Sequence, residues 1–408
     1  MKLFDELKWR GLIKDITSPD LEEKLNNGGM TFYIGTDPTS DSMHIGHYSS
    51  FLISKRLAKA GHHPLLLIGG ATGRIGDPKP TAEREIKSIE EIERNIEGLT
   101  KQANKIFGFE VVNNYDWSKD VNFIEFLRDY GKYFTVNYML DKDIIRRRLE
   151  TGITYTEFSY MIMQAFDFLH LYETKNCTLQ VAGSDQWGNI TAGVDLIKKK
   201  TGKEVYAFTM PLVLDASGNK FGKSEGNALW LDINKTSSYE LYQYLINTDD
   251  KMCESYLKIF TFLSPNEIMD IIKKHNEEPH LRLAQKTLAR EIITDLHGKS
   301  EYEKAVKISE ALFSGNVCDI DKELIEKVFK DVPNSSIDKD LNIVDLLVET
   351  NICSSRREAK EFIAAGSISI NGNKIATMDY CIEKKDAIDK KHIIVRKGKK
   401  KYYLVKYN

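Results

Sequence analysis

Tyr33-Ile-Gly-Thr-Asp-Pro-Thr-Ser-Asp-Ser-Met-His44-Ile-Gly-His47 decides how this chain is read. The run before it, Met30 to Ile34, is short and apolar, as a buried strand is. The run after it, Tyr48 to Ala60, sets Phe51, Leu52, Ile53, Leu57 and Ala60 at helical spacing. Thr39, Ser40, Asp41 and Ser42 offer side-chain oxygens to cap that helix. The stretch therefore predicts a strand, a polar loop and a helix N-terminus. His44 and His47, three residues apart, share one face of the first turn. Gly46 between them lets a ligand approach the backbone. Unpaired N–H groups and the positive end of the helix dipole suit an anion there, and two imidazoles can donate to phosphate oxygens. Taken alone, His-x-x-His is most often packing, capping or chance. A zinc pair would need more ligands, yet no third one stands at a recognisable spacing and no Cys-x-x-Cys occurs.

A second signature lies far downstream. Lys220-Phe-Gly-Lys223-Ser224 follows an apolar run read as a strand, Met210 to Leu214, and a turn, Asp215-Ala-Ser-Gly-Asn219. Two lysines, a glycine and a hydroxyl on one loop can close on a polyphosphate; alone, such a loop is usually a solvated basic surface. Together the two stretches resemble the paired signatures of class I aminoacyl-tRNA synthetases, with Lys-Phe-Gly-Lys-Ser where the family's Lys-Met-Ser-Lys-Ser stands. The fuller match, Tyr33-x-Gly-x-Asp37-Pro-Thr39 leading into His-Ile-Gly-His, resembles the tyrosyl-tRNA synthetases of bacterial type.

Length and charge fit a chain of several domains. At 408 residues it has ample core for two or three. The net charge of −2 gives no global basic footprint, but residues 341–408 hold 14 Lys and Arg against 8 Asp and Glu, a net of +6 that leaves −8 on the rest. That asymmetry points to an anionic partner for the C-terminal end. Five single cysteines, at 177, 253, 318, 353 and 381, argue against a disulfide framework and for a reducing compartment. No apolar run reaches membrane-span length and the N-terminus is not a signal peptide, so a cytoplasmic protein without membrane contact is expected.

Along the chain, Leu3 to Ile16 reads as a helix interrupted near Gly11, and Ser18-Pro19 as the start of another. Strands at Pro64–Ile68, Glu110–Asn113 and Thr178–Ala182 alternate with helices at Ile86–Phe107, Phe123–Tyr130 and Glu157–Tyr172. That alternation predicts an α/β fold, a doubly wound parallel sheet of Rossmann type with ligands at the strands' carboxyl ends. After Trp230 the pattern turns helical, with a capping box at Ser264-Pro-Asn-Glu267. The domains expected are a catalytic domain at 1–218, the signature loop and connection at 219–235, an α-helical domain at 236–329, a polar linker at 330–342 and a small α+β RNA-binding domain at 343–408.

Within Glu157–Tyr172, Tyr160, Gln164 and Asp167 fall at i, i+4 and i+7, one polar face in an apolar run. Read from the residues, a ligand and a buried polar network are equally good accounts. The resemblance favours the ligand, since the family carries Tyr-x-x-x-Gln-x-x-Asp. It implies that Tyr33 and Asp167 hold the phenol hydroxyl of L-tyrosine, that Asp77, Tyr160 and Gln164 hold its ammonium, and that Gln180 and Gln186 orient its carboxylate. It implies Asp37, Thr39, Gly46, Gly183, Asp185 and Lys223 on the ATP side, and His44, His47, Lys220, Lys223 and Ser224 as the catalytic donors. The reaction implied is tyrosine–tRNA ligation: ATP, with Mg2+, forms tyrosyl-adenylate, and tRNA(Tyr) takes the tyrosyl group. Homodimers are the family's habit. Asp77-Pro-Lys79-Pro-Thr-Ala-Glu-Arg84 departs from the family's usual Asp-Pro-Ser-x-Lys-x-x-Glu-Arg, so the pyrophosphate contacts of Lys79 and Arg84 do not carry over directly.

The C-terminal stretch Ser354 to Gly372 reads as a capped helix, a glycine turn, a strand and an Asn-Gly turn. It resembles a small RNA-binding module of ribosomal proteins and RNA-modifying enzymes. Arg356, Arg357 and Lys360 on one helical side are its candidate phosphate contacts, with a second basic cluster at Arg396, Lys397, Lys399, Lys400 and Lys401. Three rivals remain: a tryptophanyl-type synthetase, a nucleotidyltransferase without RNA, and a non-catalytic RNA-binding protein on a synthetase scaffold. The Tyr33 and Asp167 pair argues against the first, the basic module against the second and the intact histidines and lysines against the third.

Overall fold

A computed structural model describes residues 1–78, 86–224, 227–314, 325–329, 332–398 and 401–408, with backbone alone at 223, 224, 227, 313, 314 and 327. The chain forms two compact units, Met1–Lys235 with Asp249–Ala284, and Thr236–Thr248 with Gln285–Asn408.

The first unit is built on a six-stranded sheet ordered β1-β6-β5-β2-β3-β4. Its strands are β1 (Asp15–Ile16), β2 (Thr31–Thr36), β3 (His63–Ile68), β4 (Glu110–Asn113), β5 (Cys177–Gly183) and β6 (Tyr206–Met210). All neighbours are parallel except the β1 edge, which runs antiparallel to β6. Side chains alternate along β2 and β3. Tyr33, Leu65 and Leu67 join one core with Met161, Phe168, Ala192 and Leu196 of the helices Tyr155–Lys175 and Trp187–Thr201. Ile45–Lys59 and Ile89–Ile106 pack on β3 from among the remaining helices. β2 lies between β3 and β5, so the connections leave it in opposite directions. A crevice opens at such a switch point, at the carboxyl ends of the strands.

Three local readings change. The first helix stops at Trp9, and after Gly11, at φ +72°, the chain turns into β1 instead of resuming a helix. The next helix starts at Leu21, and the Ser18 hydroxyl accepts from Asp20 N ahead of it. The strand expected over Met210–Leu214 ends at Met210, because Pro211 has no N–H to donate to a ladder.

The chain passes from the first unit to the second at Lys235–Thr236, but the stretch expected as one α-helical domain, 236–329, is divided, because Asp249–Ala284 returns to the first unit. The helix Asp250–Phe260 belongs with the sheet because two buried arginines grip its C-terminal carbonyls. Arg10 donates to Lys258 O and Leu263 O at 3.0 and 2.7 Å, and Arg56 donates to Ile259 O at 3.0 Å and to Thr261 O. These cations also face the negative end of the helix dipole.

In the same unit, β7 (Lys223–Ser224) and β8 (Asn227–Ala228) form a small antiparallel hairpin. The second unit holds β9 (Asn334–Ile337), β10 (Leu341–Asn342), β11 (Ile368–Ile370), β12 (Asn373–Lys374), β13 (Cys381–Ile382), β14 (His392–Lys397) and β15 (Lys401–Tyr407). β12-β11-β14-β15-β9 make one sheet, with β9 parallel to β15. Asn334–Ile337, read as linker, is thus an edge strand, and an edge tolerates its polar sequence. The helices Ile343–Glu349 and Arg356–Ala364 share a core with Ile368, Val395 and Val405. Ile394 and Leu404 instead pack with Ile308, Ala311, Ile325 and Phe329, so the C-terminal sheet shares a core with the helical segment before it. The expected Asn-Gly turn is present, with Asn371 and Gly372 at φ +48° and +87°.

Candidate functional site

One end of the crevice is built at the carboxyl ends of β2, β3, β4 and β5. Tyr33 on β2 stands beside Gln180 on β5 in the parallel register. Both are 2% exposed, and the Tyr33 hydroxyl and Gln180 Oε1 have no hydrogen-bond partner. Burial raises the Tyr33 pKa well above its ordinary value, with the Asp167 charge adding to it. A buried polar atom with no partner in the protein is a place for a ligand's complementary atom.

Asp167 is 2% exposed and receives two hydrogen bonds, from Asn114 Nδ2 and Trp117 Nε1, both at 2.9 Å. Burial still pushes its pKa up to about 7 against those bonds, with Asp37 adding to the rise. Asn114 and Trp117 follow β4, and the sequence reading missed them because Asn113-Asn114-Tyr115-Asp116 looks like an ordinary turn. Their position after a parallel strand's carboxyl end was the available signal. Asn114 also donates to Thr72 Oγ1 at 3.0 Å and accepts from Ala71 N at 2.7 Å, so both hydrogens of its amide are engaged.

Asp37 accepts from Thr72 Oγ1 at 2.7 Å and from Tyr160 OH at 2.9 Å, which ties the β2 loop to the helix Tyr155–Lys175. Hydrogen bonds thus run from Tyr160 through Asp37, Thr72 and Asn114 to Asp167. Burial, then Asp37 and Asp77, raises the Tyr160 pKa well above its ordinary value. Asp77 accepts from Gln186 Nε2 at 2.8 Å and from Asn189 Nδ2 at 3.1 Å. Asn189 is a second missed residue; it follows Gln186 by three on one helical face. Gln164 is half-buried on the same helix as Tyr160 and Asp167.

At the other end of the crevice, the helix Ile45–Lys59 is capped by a histidine and not by the upstream oxygens. His44 is the N-cap: its Nδ1 accepts from Gly46 N at 3.1 Å, and His47 Nδ1 accepts from His44 N at 3.3 Å. A residue with a Cβ at position 46 would put it 2.8 Å from the His44 ring, which explains the glycine. The imidazoles stack with centroids 3.9 Å apart. Burial, then His44, lowers the His47 pKa to about 3, so this ring is neutral in ordinary buffers. A neutral imidazole whose Nδ1 accepts carries its proton on Nε2. The stacked pair therefore presents Nε2–H donors.

The second signature is tied to the first through the backbone. Ile45 N donates to Leu229 O, Leu231 N to Met43 O and Leu229 N to Gly222 O, at 2.8, 2.8 and 3.0 Å. Gly222, at φ +84°, lies against Ile45, and a Cβ there would come within 2.0 Å of Ile45 Cγ2. Phe221 is buried against Tyr256 and Phe260, with ring centroids 4.6 and 4.9 Å away. Lys220 is exposed. The Lys223 and Ser224 side chains, and Lys79 and Arg84, lie outside the described residues. Thr39 and Asp185 are exposed, and Gly183 ends β5 immediately before Asp185's turn. A cavity of about 330 Å³ opens between Ser49 and Ser50 of the signature helix, Leu212 and Val213 after β6, and Tyr256.

In the second unit, Arg356, Arg357 and Lys360 are exposed. Arg356 pairs with Asp345 and Arg357 with Glu361, at 2.6 and 2.9 Å. Lys397, expected in the second basic cluster, turns inward: its ammonium donates to Glu358 and to Ile352 O. Lys399 and Lys400 lie outside the described residues. His297 bonds Ser238 at 2.8 Å, a packing role.

Sheet, paired signatures and crevice define a class I tRNA synthetase, and residues 25–314 match the family of class I tRNA synthetases (W and Y). Residues 324–405 match the SYY-like C-terminal domain of tyrosine–tRNA ligases. The chain is similar to the tyrosine–tRNA ligase of Listeria welshimeri, 52% identical over 418 residues with both covered in full. The tyrosine–tRNA ligase of Streptococcus gordonii is 47% identical over the same span, again with both covered in full. The chain therefore belongs to the tyrosine–tRNA ligase family. Among solved structures, a C-terminally truncated mitochondrial tyrosyl-tRNA synthetase from Coccidioides posadasii matches with a TM-score of 0.67 and 31% identity, covering 75% of this chain and 91% of its own. A tryptophanyl-tRNA synthetase from Encephalitozoon cuniculi, with a TM-score of 0.55 and 16% identity over 74% of this chain and 86% of its own, shares the fold alone.

Proposed function

We propose that the chain activates L-tyrosine with ATP and transfers the tyrosyl group to the 3′ end of tRNA(Tyr). The observation that carries the amino acid assignment is the buried, unpaired Tyr33 hydroxyl in a pocket shared with Asp167. A substrate phenol would accept from Tyr33 and donate to Asp167. Phenylalanine would leave both unsatisfied; the handicap for such a swap in this enzyme type is about 10⁵. At the other end Asp77, with Tyr160 and Gln164, compensates the ammonium, and Gln180 and Gln186 orient the carboxylate.

In the first step a tyrosine carboxylate oxygen attacks the α-phosphorus of ATP, and pyrophosphate leaves in line, taking the electrons of the broken P–O bond. No general base is needed, because the carboxylate is already ionised. Negative charge grows on the phosphoryl oxygens, so preorganised donors lower the barrier. The Nε2–H groups of His44 and His47 supply these, with Lys220, Lys223 and Ser224 closing from the second signature. Mg2+ arrives with ATP as part of the substrate. Asp185, exposed after β5, suits the ribose hydroxyls. In the second step a terminal adenosine hydroxyl of the tRNA attacks the tyrosyl carbonyl and AMP leaves. Residues 343–408 grip the tRNA through Arg356, Arg357 and Lys360.

A homodimer fits the exposed apolar side chains gathered in one stretch: Phe123, Ile124, Val136, Leu149 and Tyr155, each 49–67% exposed. No helix among the described residues is long and apolar enough to cross a membrane, and we place the protein in the cytoplasm beside its tRNA. Charging unfractionated bacterial tRNA with labelled tyrosine tests the function. Stable label on tRNA is expected, and adenylate formation without transfer would refute the second step. A sedimenting monomer would refute the dimer.

A further inference from the structure

No zinc set is visible in the sequence because its members are not neighbours there. Asp250 and Cys253 stand at i and i+3 on the first turn of the helix Asp250–Phe260, so they share a face. His275 comes from the next helix, Pro265–Glu277. One ligand atom from each of the three, a carboxylate oxygen, a thiol sulfur and an imidazole nitrogen, lies within 4.8 Å of the others.

His275 and Cys253 are buried, at 1% and 0% exposure, while the Asp250 side chain is 60% exposed. His275 Nε2 lies 3.1 Å from Asp250 Oδ1, and its Nδ1 is buried without a hydrogen-bond partner. Nε2 is thus the ring nitrogen on the side of Asp250, and it is the one that joins the carboxylate and the thiol in the cluster.

We propose that Asp250, Cys253 and His275 bind a single divalent cation of the zinc class. The donor set decides the class. A thiolate beside an imidazole suits Zn2+ and not the hard, oxygen-seeking Mg2+ that accompanies ATP. Donor atoms around tetrahedral zinc stand about 3.5 Å apart, given bonds of about 2.0–2.3 Å. His275 Nε2 and Asp250 Oδ1, 3.1 Å apart, already stand near that spacing, so the adjustment falls to the Cys253 sulfur, which turns from its hydrogen bond to Asp249 O. Water completes the shell on Asp250's open side. The cysteine binds as thiolate, and its proton leaves to solvent.

The cation acts on the catalytic apparatus through the helix it fastens. Asp250–Phe260 carries Tyr256 and Phe260, which seat Phe221, and its far end is held by Arg10 and Arg56. Its first turn is joined to Pro265–Glu277 by the His275–Asp250 contact. A metal there clamps the platform on which the second signature rests, so it is a structural site, independent of the ATP-bound metal.

The test is a cobalt and zinc titration of the full-length protein after dialysis against chelator. Wild type is expected to take up one equivalent of Co2+ with a thiolate-to-cobalt charge-transfer band and tetrahedral d–d absorption, and Zn2+ is expected to displace it and raise the Tm. Cys253→Ser should lose the band. Asp250→Asn, at an exposed side chain, should keep its far-ultraviolet circular dichroism and bind about 10–100-fold more weakly. A wild type without the band, a band that survives in Cys253→Ser because another cysteine supplies it, or an unchanged affinity in Asp250→Asn would each overturn the proposal.

Discussion

Asp167→Asn separates two demands on one carboxylate. Burial displaces the Asp167 pKa from 3.8 to about 7, although Asn114 and Trp117 donate to it. The folded, ligand-free protein thus keeps a proton that the unfolded chain releases near pH 4. Between these values the folded state binds more protons than the unfolded one, so stability from this group is present below about pH 4 and is lost as pH rises to about 7. The displacement corresponds to about 4 kcal/mol. Asparagine has no charge to desolvate, but it offers one acceptor oxygen where the carboxylate offers two. Either Asn114 Nδ2 or Trp117 Nε1 then loses its partner, which costs about 1–3 kcal/mol. The variant should therefore be less stable than wild type at pH 4 by about that amount. At pH 8 it should be more stable by a similar amount, since the difference rises by about 4 kcal/mol between the two. All four tryptophans, at 9, 117, 187 and 230, lie in the first compact unit, so urea unfolding followed by their fluorescence reports the relevant transition. The same variant should bind tyrosine more weakly and phenylalanine nearly as before. A stability difference that does not change with pH would refute the reasoning, as would equal weakening for both amino acids.

Other outcomes follow from the same geometry. Tyr33→Phe removes a buried hydroxyl that has no partner, so the ligand-free protein should be as stable as wild type or slightly more so, while calorimetry shows weaker tyrosine binding. His44→Ala with His47→Ala should leave tyrosine affinity intact and lower kcat and kcat/KM for adenylation alike; a raised tyrosine KM at unchanged kcat would place these rings on the amino acid instead. Because the His47 pKa is about 3, no loss of adenylation near pH 6.5 should trace to its titration, and a pH profile of wild type against His47→Ala checks this. Replacing Arg356, Arg357 and Lys360 with alanine should flatten the salt dependence of tRNA affinity by roughly 0.7–0.9 for each phosphate no longer neutralised, with adenylation unchanged. Substitution is preferable to truncation here, because removing the C-terminal sheet would expose Ile308, Ala311 and Phe329.

What the sequence could say depended on whether the partners were close along it. His44, Gly46 and His47 lie in one turn, and Tyr160, Gln164 and Asp167 on one helical face, so spacing singled out both groups, while the family resemblance was needed to favour a ligand over packing or a buried network. Capping by His44 was not legible, since Ser, Thr and Asp are the better caps by propensity, and here a ring nitrogen does the work because Gly46 clears the space. Asn114, Trp117 and Asn189 were missed because each acts through a residue 50 to 112 positions away. The Met210–Leu214 run was read too long on apolar content, although Pro211 was there to stop it. The strand Asn334–Ile337 is polar and needs β15 to exist, and Asp250, Cys253 and His275 meet only once two helices have packed.

Tyrosine-dependent exchange of labelled pyrophosphate into ATP, run in parallel with phenylalanine and tryptophan, tests the central claim most directly. The account predicts rapid exchange with tyrosine, almost none with the other two, and loss of the tyrosine signal in the His44→Ala, His47→Ala double variant. Exchange supported as well by tryptophan or phenylalanine, or undiminished in that variant, would contradict it.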